Sequence, residues 1–361
     1  MKEIIVHPGV RTEVKETAIP RPDAQQVVIK VIVSGTNPKD WKLPEYLPEL
    51  SINQGDDIAG FIYAVGDEVT EFKPGDRVAA FHEVGTLGGS FAEYAVAWDH
   101  TTFHIPKNIS FEEAATLPVC FMTSAVGLYY DLRLPSPWTP TDVRTPLVIY
   151  GGSSAVGAFA IKLAKLSNIH PIIAVAGAGA PFVETLIDRS KGDSIVDYRQ
   201  SDDAVTAGIR DAVARAGCDR AEYAFDATTA SNSWANIAGA LSSTGNIAFV
   251  TYDWQGKGLS DKLKLTQTYV GWVHGSAGLL QGSDSNDSEE AKARLRLGAK
   301  QFGHAWFRLL GLGLREGWLT PHPHEVVEGG LDGVEEALTR LKAGKASAVK
   351  YVLRVSESDG L

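Results

Sequence analysis

A glycine-rich segment between Tyr150 and Gly157 most constrains the fold of this 361-residue chain. It reads Tyr-Gly-Gly-Ser-Ser-Ala-Val-Gly, follows an apolar run that starts at Leu147, and precedes a segment whose apolar residues recur at helical spacing. Glycines at a strand-to-helix junction allow a tight turn, and free N–H groups at the helix start favour a pyrophosphate. The predicted phosphate-binding residues are Gly151, Gly152, Ser153, Ser154, Ala155, Val156 and Gly157. The pattern departs from G-x-G-x-x-G because two serines stand where a glycine is expected, so a strand-to-helix turn that binds no phosphate is the alternative.

The pattern of the chain changes near residue 147. Residues 1 to about 110 contain short β-type runs separated by turn signals, whereas β-type runs alternate with helical patterns from Leu147 onward. The predicted strands of this later part are Leu147–Tyr150, Pro171–Ala176, Ser194–Tyr198, Ala221–Asp226 and Asn246–Thr251. This alternation predicts a parallel, doubly wound sheet of the Rossmann type, and hence an α/β protein. A last strand-like run, Ala348 to Val355, is expected to return to the β-rich first part. We therefore expect one domain made of residues 1–118 and 316–361, and a nucleotide-binding domain made of residues 119–315.

The composition excludes several classes of partner. Lys and Arg total 34 against 44 Asp and Glu, which gives a formal net charge of −10, and no dense basic run occurs. Such a chain does not attract nucleic acid or an anionic membrane, so a small molecule is the expected partner. The two cysteines exclude a disulfide framework and a cysteine-rich zinc module. Together with an N-terminus that lacks the apolar run of a secretory signal, they favour a cytoplasmic location.

The residues after the second strand of the predicted sheet indicate which dinucleotide is bound. An NAD site usually carries an acid there, about 20 residues beyond the glycine-rich turn, which binds the ribose 2′-hydroxyl. Residues 174–180 of this chain read Ala-Val-Ala-Gly-Ala-Gly-Ala, so no acid lies beside Gly177 to repel a 2′-phosphate. This favours NADP(H). Tyr198 is a candidate donor to the phosphate, with Arg199 or Lys191 adding charge, and the alternative is that Tyr198 only packs at a strand end.

Short motifs throughout the chain resemble those of the medium-chain dehydrogenase/reductase superfamily. Four look like its zinc-independent quinone oxidoreductase branch: Asn37-Pro-Lys-Asp-Trp-Lys42, Gly55-Asp-Asp-Ile-Ala-Gly60, Val65-Gly66 and Gly75-Asp-Arg-Val78. Four others are similar to fungal trans-acting enoyl reductases that serve polyketide synthases: Tyr150-Gly-Gly-Ser-Ser154, Val196-Asp-Tyr-Arg199, Val327-Glu-Gly-Gly330 and Gly344-Lys-Ala-Ser347. The resemblance implies a GroES-like, partly closed β-barrel catalytic domain beside the Rossmann domain.

The resemblance also locates the positions where zinc-dependent members hold their metal. This chain has Asn37 and Asp56 there, with Val119 near the third position and Cys120 one residue away. These side chains do not form a zinc ligand set, so no metal is expected. Without a Lewis acid to polarise a carbonyl oxygen, reduction of an activated C=C bond is the easier chemistry.

Individual residues take expected roles from the same resemblance. Lys42 matches an active-site lysine that stabilises an enolate or orients the nicotinamide ribose, and Thr123 matches a threonine whose hydroxyl donates to the substrate carbonyl. Asn37 is expected to bind backbone groups or the ribose. The alternatives are that Lys42 is a solvated surface lysine, that the Thr123 hydroxyl is satisfied by its own helix backbone, and that Asn37 is structural. Further expected cofactor contacts are Thr251, Val273 in a strand Val270–Val273, and Val352 and Leu353 in the terminal strand.

Three functions remain open from the sequence. The favoured function is an NADPH-dependent oxidoreductase that reduces an activated C=C bond without zinc, on a free enone or in trans on an intermediate of a polyketide synthase. The alternatives are an NADPH quinone oxidoreductase that uses the same site and, in another class, a non-catalytic NADPH-binding protein. A net charge of −10 gives no steering toward an acidic acyl carrier unless Lys39, Lys42, Arg133 and Arg144 form a basic patch. Both a monomer and a homodimer are compatible with the family.

Overall fold

The computed structural model describes residues 1–250, 259–275 and 289–356, and the chain forms two compact units. The first unit comprises Met1–Met122 and Gly271–Leu361, and the second comprises Thr123–Val270. The chain therefore rejoins the first unit earlier than residue 316, the boundary expected from the sequence. The reason is the packing of a long helix at 289–316, in which Phe307 stacks on Phe103 with ring centroids 5.8 Å apart.

The described residues contain strands and helices in the following chain order. The first stretch holds β1 (Lys2–Val6), β2 (Thr12–Glu16), β3 (Gln26–Gly35), α1 (Lys39–Tyr46), β4 (Asp57–Val65), β5 (Arg77–Phe81), β6 (Tyr94–Trp98), β7 (Thr102–His104), α2 (Phe111–Ala114) and α3 (Pro118–Ala125). The second unit holds β8 (Leu147–Tyr150), α4 (Ala155–Leu166), β9 (Ile172–Val175), α5 (Ala180–Glu184), β10 (Ser194–Val196), α6 (Asp202–Arg215), β11 (Ala221–Asp226), α7 (Ser233–Ala240), β12 (Leu241–Phe249) and β13 (Lys264–Gln267). The returning stretch holds α8 (Glu289–Glu316), β14 (His324–Val327), α9 (Val334–Lys342) and β15 (Lys350–Arg354).

The sheet of the first unit is organised around β3. This ten-residue strand is buried along most of its length because apolar side chains occupy both of its faces. One edge pairs with β4, and the other edge pairs with β6 at its start and with β15 at its end, where Leu353 lies opposite Ser34. The resulting strand order is β14-β15-β3-β4-β5-β7, with β6 on β3. The pairing of β15 with β3 confirms that the terminal strand returns to the β-rich first part.

The second unit contains the predicted parallel sheet, in the order β10-β9-β8-β11-β12-β13. This is the 3-2-1-4-5-6 arrangement of a doubly wound nucleotide-binding fold, in which ligands bind where the order reverses, here between β8 and β11. The strands are nearly continuous apolar runs because both of their faces are covered. Their core includes Val148, Ile173, Val205, Ile209 and Ile247.

Two predictions about the strands need correction. The residues Val270–His274 form a 3-10 helix, so the predicted strand Val270–Val273 is wrong. The strand β12 begins at Leu241, before the predicted start at Asn246, because it pairs with β11 across a register shift near Ala221. Thr251 lies outside the described residues. Within those residues, no helix combines the length and the apolarity needed to span a bilayer.

Candidate active site

The glycine-rich turn lies between β8 and α4, at the carboxyl edge of the parallel sheet. Gly151 has a φ of +79°, and a Cβ there would lie 2.3 Å from Cγ2 of Thr228. A Cβ on Gly157 would lie 2.2 Å from the carbonyl oxygen of Gly151. Both positions therefore require glycine, the first for its backbone conformation and both for close packing. The structure shows the tight strand-to-helix turn that the sequence predicts.

Ser154 caps the helix that follows this turn. Its Oγ accepts a hydrogen bond from the Gly157 N–H at 3.0 Å and donates one to the Gly151 carbonyl at 2.8 Å. A hydroxyl has a single proton to donate, so this side chain is committed to holding the turn. The N–H groups of Ala155 and Val156 lie in the first turn of α4, where no carbonyl of the helix can accept from them. These backbone donors, with the half-buried Ser153 before them, fit a pyrophosphate.

A buried carboxylate supports the opposite side of the turn, and the sequence did not reveal it. Asp226 ends β11 and accepts hydrogen bonds from the N–H groups of Thr228 and Thr229 at 3.2 and 2.8 Å, and from the Ser233 hydroxyl at 2.5 Å. Burial raises the pKa of Asp226, although these bonds favour its charged form. Asp226 thereby fixes the loop whose Thr228 packs against Gly151. An acid at the end of an apolar strand, followed by Ala-Thr-Thr, was the available sequence signal.

Gly177 and Tyr198, both predicted to contact the cofactor, lie together in the second unit. A Cβ on Gly177 would lie 2.7 Å from Cε1 of Tyr198, so the tyrosine ring lies directly on this glycine. Tyr198 follows the end of β10 and is 48% exposed, which leaves its hydroxyl accessible. The side chain of Arg199 is bound to Asp197 at 2.6 Å, and Lys191 is an exposed residue of a short 3-10 helix. Glu184 is likewise paired, with Arg189 at 2.6 Å.

Thr123 lies near the end of α3 and is buried, with 6% of its surface exposed. The next residue, Ser124, donates its hydroxyl to the carbonyl oxygen of Val156 at 2.7 Å. This bond attaches the end of α3 to the first turn of α4, and therefore to the glycine-rich turn. The chain continues from α3 into a π-helix, Val126–Asp131, a distortion that is frequent near functional sites.

Asn37 belongs to a buried polar cluster of the first unit. Its Nδ2 donates to Asp57 at 2.6 Å, and its Oδ1 accepts from the ammonium of Lys350 at 2.9 Å. Asp57 also binds the Lys350 ammonium at 2.6 Å and accepts from the N–H of Val119 at 2.8 Å. Both ends of the Asn37 amide are therefore engaged by protein groups, which favours the structural alternative for this residue.

A second buried charge cluster lies beside the first. The ammonium of Lys39 contacts Asp56 at 2.7 Å and Asp40 at 3.1 Å, and it donates to the carbonyl oxygen of Gln54 at 2.7 Å. Burial raises the pKa of Asp40 to about 7 and that of Asp56 to about 6, against the opposing charge of Lys39. Lys39 is thus committed to internal carboxylates, so its charge is not available to the basic patch considered for Lys39, Lys42, Arg133 and Arg144.

Lys42 lies in α1 and is half-buried. Its ammonium lies 5.6 Å from the ring centroid of Trp41, and the ammonium of Lys342 lies 5.1 Å from the same ring. Lys342 is in turn paired with Glu45 at 2.7 Å. The aromatic ring contributes a cation–π attraction to each lysine and restricts where the Lys42 head can move.

The predicted cofactor contacts of the first unit lie in two different settings. Val352 and Leu353 are buried in β15, opposite Gly35 and Ser34 of β3. Val273 is buried in the 3-10 helix, and its carbonyl oxygen is bonded to Nε2 of His100 at 3.2 Å. The structure therefore places these residues in the protein framework of the first unit.

The residues at the zinc positions of the superfamily are engaged with lysine side chains. No three His, Cys, Asp or Glu side chains in the described part of the chain are arranged to hold a metal ion. Asp56 is paired with Lys39, and the Lys350 ammonium stands between Asn37, Asp57 and Cys120. These residues do not fit a zinc ion, because a cationic group already occupies the space between the donors.

Comparison with known proteins places the chain beside enoyl reductases. Residues 23–107 match the alcohol dehydrogenase GroES-like domain. The trans-enoyl reductase fsr4 of Gibberella fujikuroi is 41% identical over 333 residues, which cover 91% of each chain. The trans-enoyl reductase resD of Aspergillus sclerotiorum is 31% identical, covering 96% of this chain and 98% of its own. A Rhizobium etli CFN 42 protein classed as a zinc-dependent alcohol dehydrogenase has a similar fold, with a TM-score of 0.78 at 19% identity over 99% of this chain and 98% of that one.

Proposed function

The chain belongs to the trans-enoyl reductases of the medium-chain dehydrogenase/reductase superfamily, and from that premise we propose that it reduces the activated carbon–carbon double bond of an enoyl substrate with a nicotinamide cofactor. The observation that carries this proposal is the identity of 41% to a trans-enoyl reductase along 91% of both chains. The glycine-rich turn at the edge of the parallel sheet supports the cofactor half of the reaction. We further propose that the natural substrate is a thioester-linked polyketide intermediate.

The proposed cofactor is NADPH. The N–H groups of Ala155 and Val156 would hold the pyrophosphate at the start of α4, and Tyr198 would donate its hydroxyl to the 2′-phosphate. Two observations support this preference over NADH. No acid lies at the end of β9 near Gly177, and two of the acids that follow are paired with arginines, Glu184 with Arg189 and Asp197 with Arg199. The residues beside Gly177 would therefore place no carboxylate against a 2′-phosphate.

Lys42 and Thr123 are proposed as the catalytic residues. A bound nicotinamide would supply hydride to the β-carbon of the substrate, negative charge would develop on the carbonyl oxygen, and a proton from solvent or a side chain would complete the reduction at the α-carbon. The Thr123 hydroxyl would donate a hydrogen bond to that oxygen, and the Lys42 ammonium would stabilise its charge or orient the ribose. The bond from Ser124 to Val156 supports the assignment of Thr123, because it keeps this part of α3 beside the glycine-rich turn.

The substrate test measures NADPH consumption with α,β-unsaturated thioesters, free enones and quinones, with the products identified by mass. We expect thioesters to be reduced at the C=C bond with the highest kcat/KM. Preference for quinones would replace the proposal by a quinone oxidoreductase. Tight NADPH binding with no turnover of any substrate would replace it by a non-catalytic binding protein.

The residue test uses Lys42→Met and Thr123→Val, which keep side-chain size and remove the polar group. Each is expected to lower kcat by about 10²-fold, the usual effect of losing one group that stabilises an oxyanion. Lys345→Met is the matched control, because Lys345 is an exposed lysine of the same unit. Unchanged kcat in both variants would contradict the assignment of these residues.

The cofactor test compares Tyr198→Phe with the wild-type chain in titrations with NADPH and NADH. Loss of one hydrogen bond to a phosphate should weaken NADPH binding by about 10-fold and leave NADH binding unchanged. Equal or tighter binding of NADH by the wild-type chain would contradict the NADPH preference.

A further inference from the structure

The ammonium of Lys350 lies at the centre of the buried polar cluster that contains Asn37 and Asp57. The Lys350 side chain is 4% exposed, and its ammonium contacts three side chains from three separate segments. Asp57, the first residue of β4, lies at 2.6 Å, Asn37 before α1 at 2.9 Å, and Cys120 of α3 at 3.1 Å. Three acceptors of different chemistry therefore converge on a single buried nitrogen atom.

The separation of two of these acceptors equals that of two ligands around a metal ion. In a tetrahedral zinc site with one sulfur and one oxygen ligand, bond lengths of about 2.3 and 2.1 Å place the two ligand atoms about 3.6 Å apart. The distance between Cys120 Sγ and Asn37 Oδ1 is 3.6 Å. By the resemblance described above, Asn37 stands at one of the zinc positions and Cys120 is one residue from another, whereas Asp56, at the remaining position, is paired with Lys39.

The ammonium at the centre of the cluster is ion-paired inside the protein. It lies 2.6 Å from Asp57, and the side chains of Lys350 and Asp57 are 4% and 0% exposed. A divalent ion between the same acceptors would lie within about 3 Å of this ammonium, and the repulsion in a buried site is prohibitive.

The same ammonium connects the segments that carry the proposed catalytic residues. Asn37 lies two residues before Lys39, the first residue of α1, which is the helix of Lys42. Asp57, which binds Lys350 through Oδ2, accepts the Val119 N–H through Oδ1 at the start of α3, the helix of Thr123. A cation at this point therefore fixes the beginning of both helices relative to β15.

We propose that the ammonium of Lys350 is a built-in cation that replaces the zinc ion of this fold, holding Asn37, Asp57 and Cys120 in place and keeping divalent metals out. Lys350 is accordingly a positioning residue. The inference does not rest on the enoyl substrate, and it is tested by metal content and thermal stability as well as by activity.

The first experiment measures zinc uptake. The wild-type chain, Lys350→Met and the control Lys345→Met are treated with a chelator, dialysed against Zn²⁺ and analysed for bound metal. We expect less than about 0.1 zinc per chain for the wild type and the control. Lys350→Met should bind about one zinc through Asp57, Asn37 and a deprotonated Cys120, with water as the fourth ligand.

Thermal unfolding gives the second readout. Removing one partner of a buried ion pair leaves Asp57 uncompensated, so the midpoint of Lys350→Met should fall by about 10 °C without zinc and rise again with zinc. If this variant does not fold, the double variant Lys350→Met with Asp57→Asn removes both charges and should fold. Lys350→Arg keeps the cation and should retain most of the stability and activity and still exclude zinc.

Three results would overturn the proposal. One is stoichiometric zinc in the wild-type chain that Asp57→Asn abolishes. Another is a Lys350→Met variant that is destabilised but takes up no zinc, because the pair would then be an ordinary buried salt bridge. The third is a Lys350→Arg variant that behaves like Lys350→Met. If the wild-type chain reduced none of the substrates, the proposed function would be contradicted, and these metal measurements would be unaffected.

Discussion

The glycine at the third position of α4 offers a sharp test of the cofactor turn. In Gly157→Ala the new Cβ would lie 2.2 Å from the Gly151 carbonyl oxygen and 2.8 Å from its carbonyl carbon. Ordinary contacts between carbon and oxygen atoms are about 1 Å longer, so the turn must move by about that distance. The Gly151 carbonyl has little freedom to move, because it accepts the N–H of Ser154 at 2.9 Å and its hydroxyl at 2.8 Å.

The displacement has two measurable consequences. Overpacking of this kind lowers the free energy of unfolding by about 1–3 kcal/mol. It also shifts the N–H groups of Ala155 and Val156, the proposed pyrophosphate donors, so the Kd for NADPH should rise by about 10-fold or more, which corresponds to about 1.4 kcal/mol or more of binding free energy. Titration of NADPH fluorescence measures the Kd, and urea unfolding measures the free energy of unfolding.

The matched control is Gly298→Ala in the exposed part of α8. A Cβ at Gly298 meets no atom within 4 Å, so alanine should raise stability by about 0.5–1 kcal/mol through its helix propensity. Its Kd for NADPH should equal that of the wild type. Wild-type NADPH affinity in Gly157→Ala would refute the assignment of this turn to the cofactor.

Three further substitutions test the framework of the site. Burial raises the pKa of Asp131 to about 6, so the native state holds a proton that the unfolded chain releases, and stability should fall by up to about 3 kcal/mol as the pH rises from about 4 to about 6. Asp131→Asn should lose that slope in urea unfolding at a series of pH values, and an unchanged slope would exclude Asp131 as its source. Ser124→Ala removes the bond to Val156, and should lower stability by about 1 kcal/mol and kcat more than KM in steady-state kinetics. Ser110→Ala removes the capping box of α2 and should lower stability by about 1 kcal/mol in urea unfolding, with kcat and the NADPH Kd unchanged.

The parts of the fold that follow from local pattern could be predicted from the sequence. The bounds of β8 and β11 agree with the prediction because both are short runs rich in apolar residues, with Gly151-Gly152 after β8 and Thr228-Thr229 after β11. The segment Val270–His274 is also rich in apolar residues, but it forms a 3-10 helix. Short apolar runs do not distinguish strand from other buried conformations, and packing within the first unit decides the outcome.

The candidate site was predictable only where one local segment creates it. The glycine-rich turn needs seven consecutive residues, and the sequence shows them directly. The cluster around Lys350 joins residues separated by 293 and 313 positions, through the pairing of β15 with β3. No periodicity or motif signals such a contact. The capping role of Ser154 was also hidden, because a phosphate ligand and a helix cap call for the same hydroxyl at the same place.

The difference between an ammonium and a zinc ion at this place bears on the reaction itself. A catalytic zinc keeps one coordination position open, where it can polarise a substrate carbonyl. A lysine ammonium has three N–H donors. Those of Lys350 are all used, by Asn37, Asp57 and Cys120. Lys350 therefore organises the protein but offers nothing to a substrate oxygen. Charge that develops on that oxygen must be stabilised by other groups, which is the role proposed for Lys42 and Thr123. Conjugate reduction suits this division, since hydride attacks a carbon remote from the oxygen that those side chains would bind.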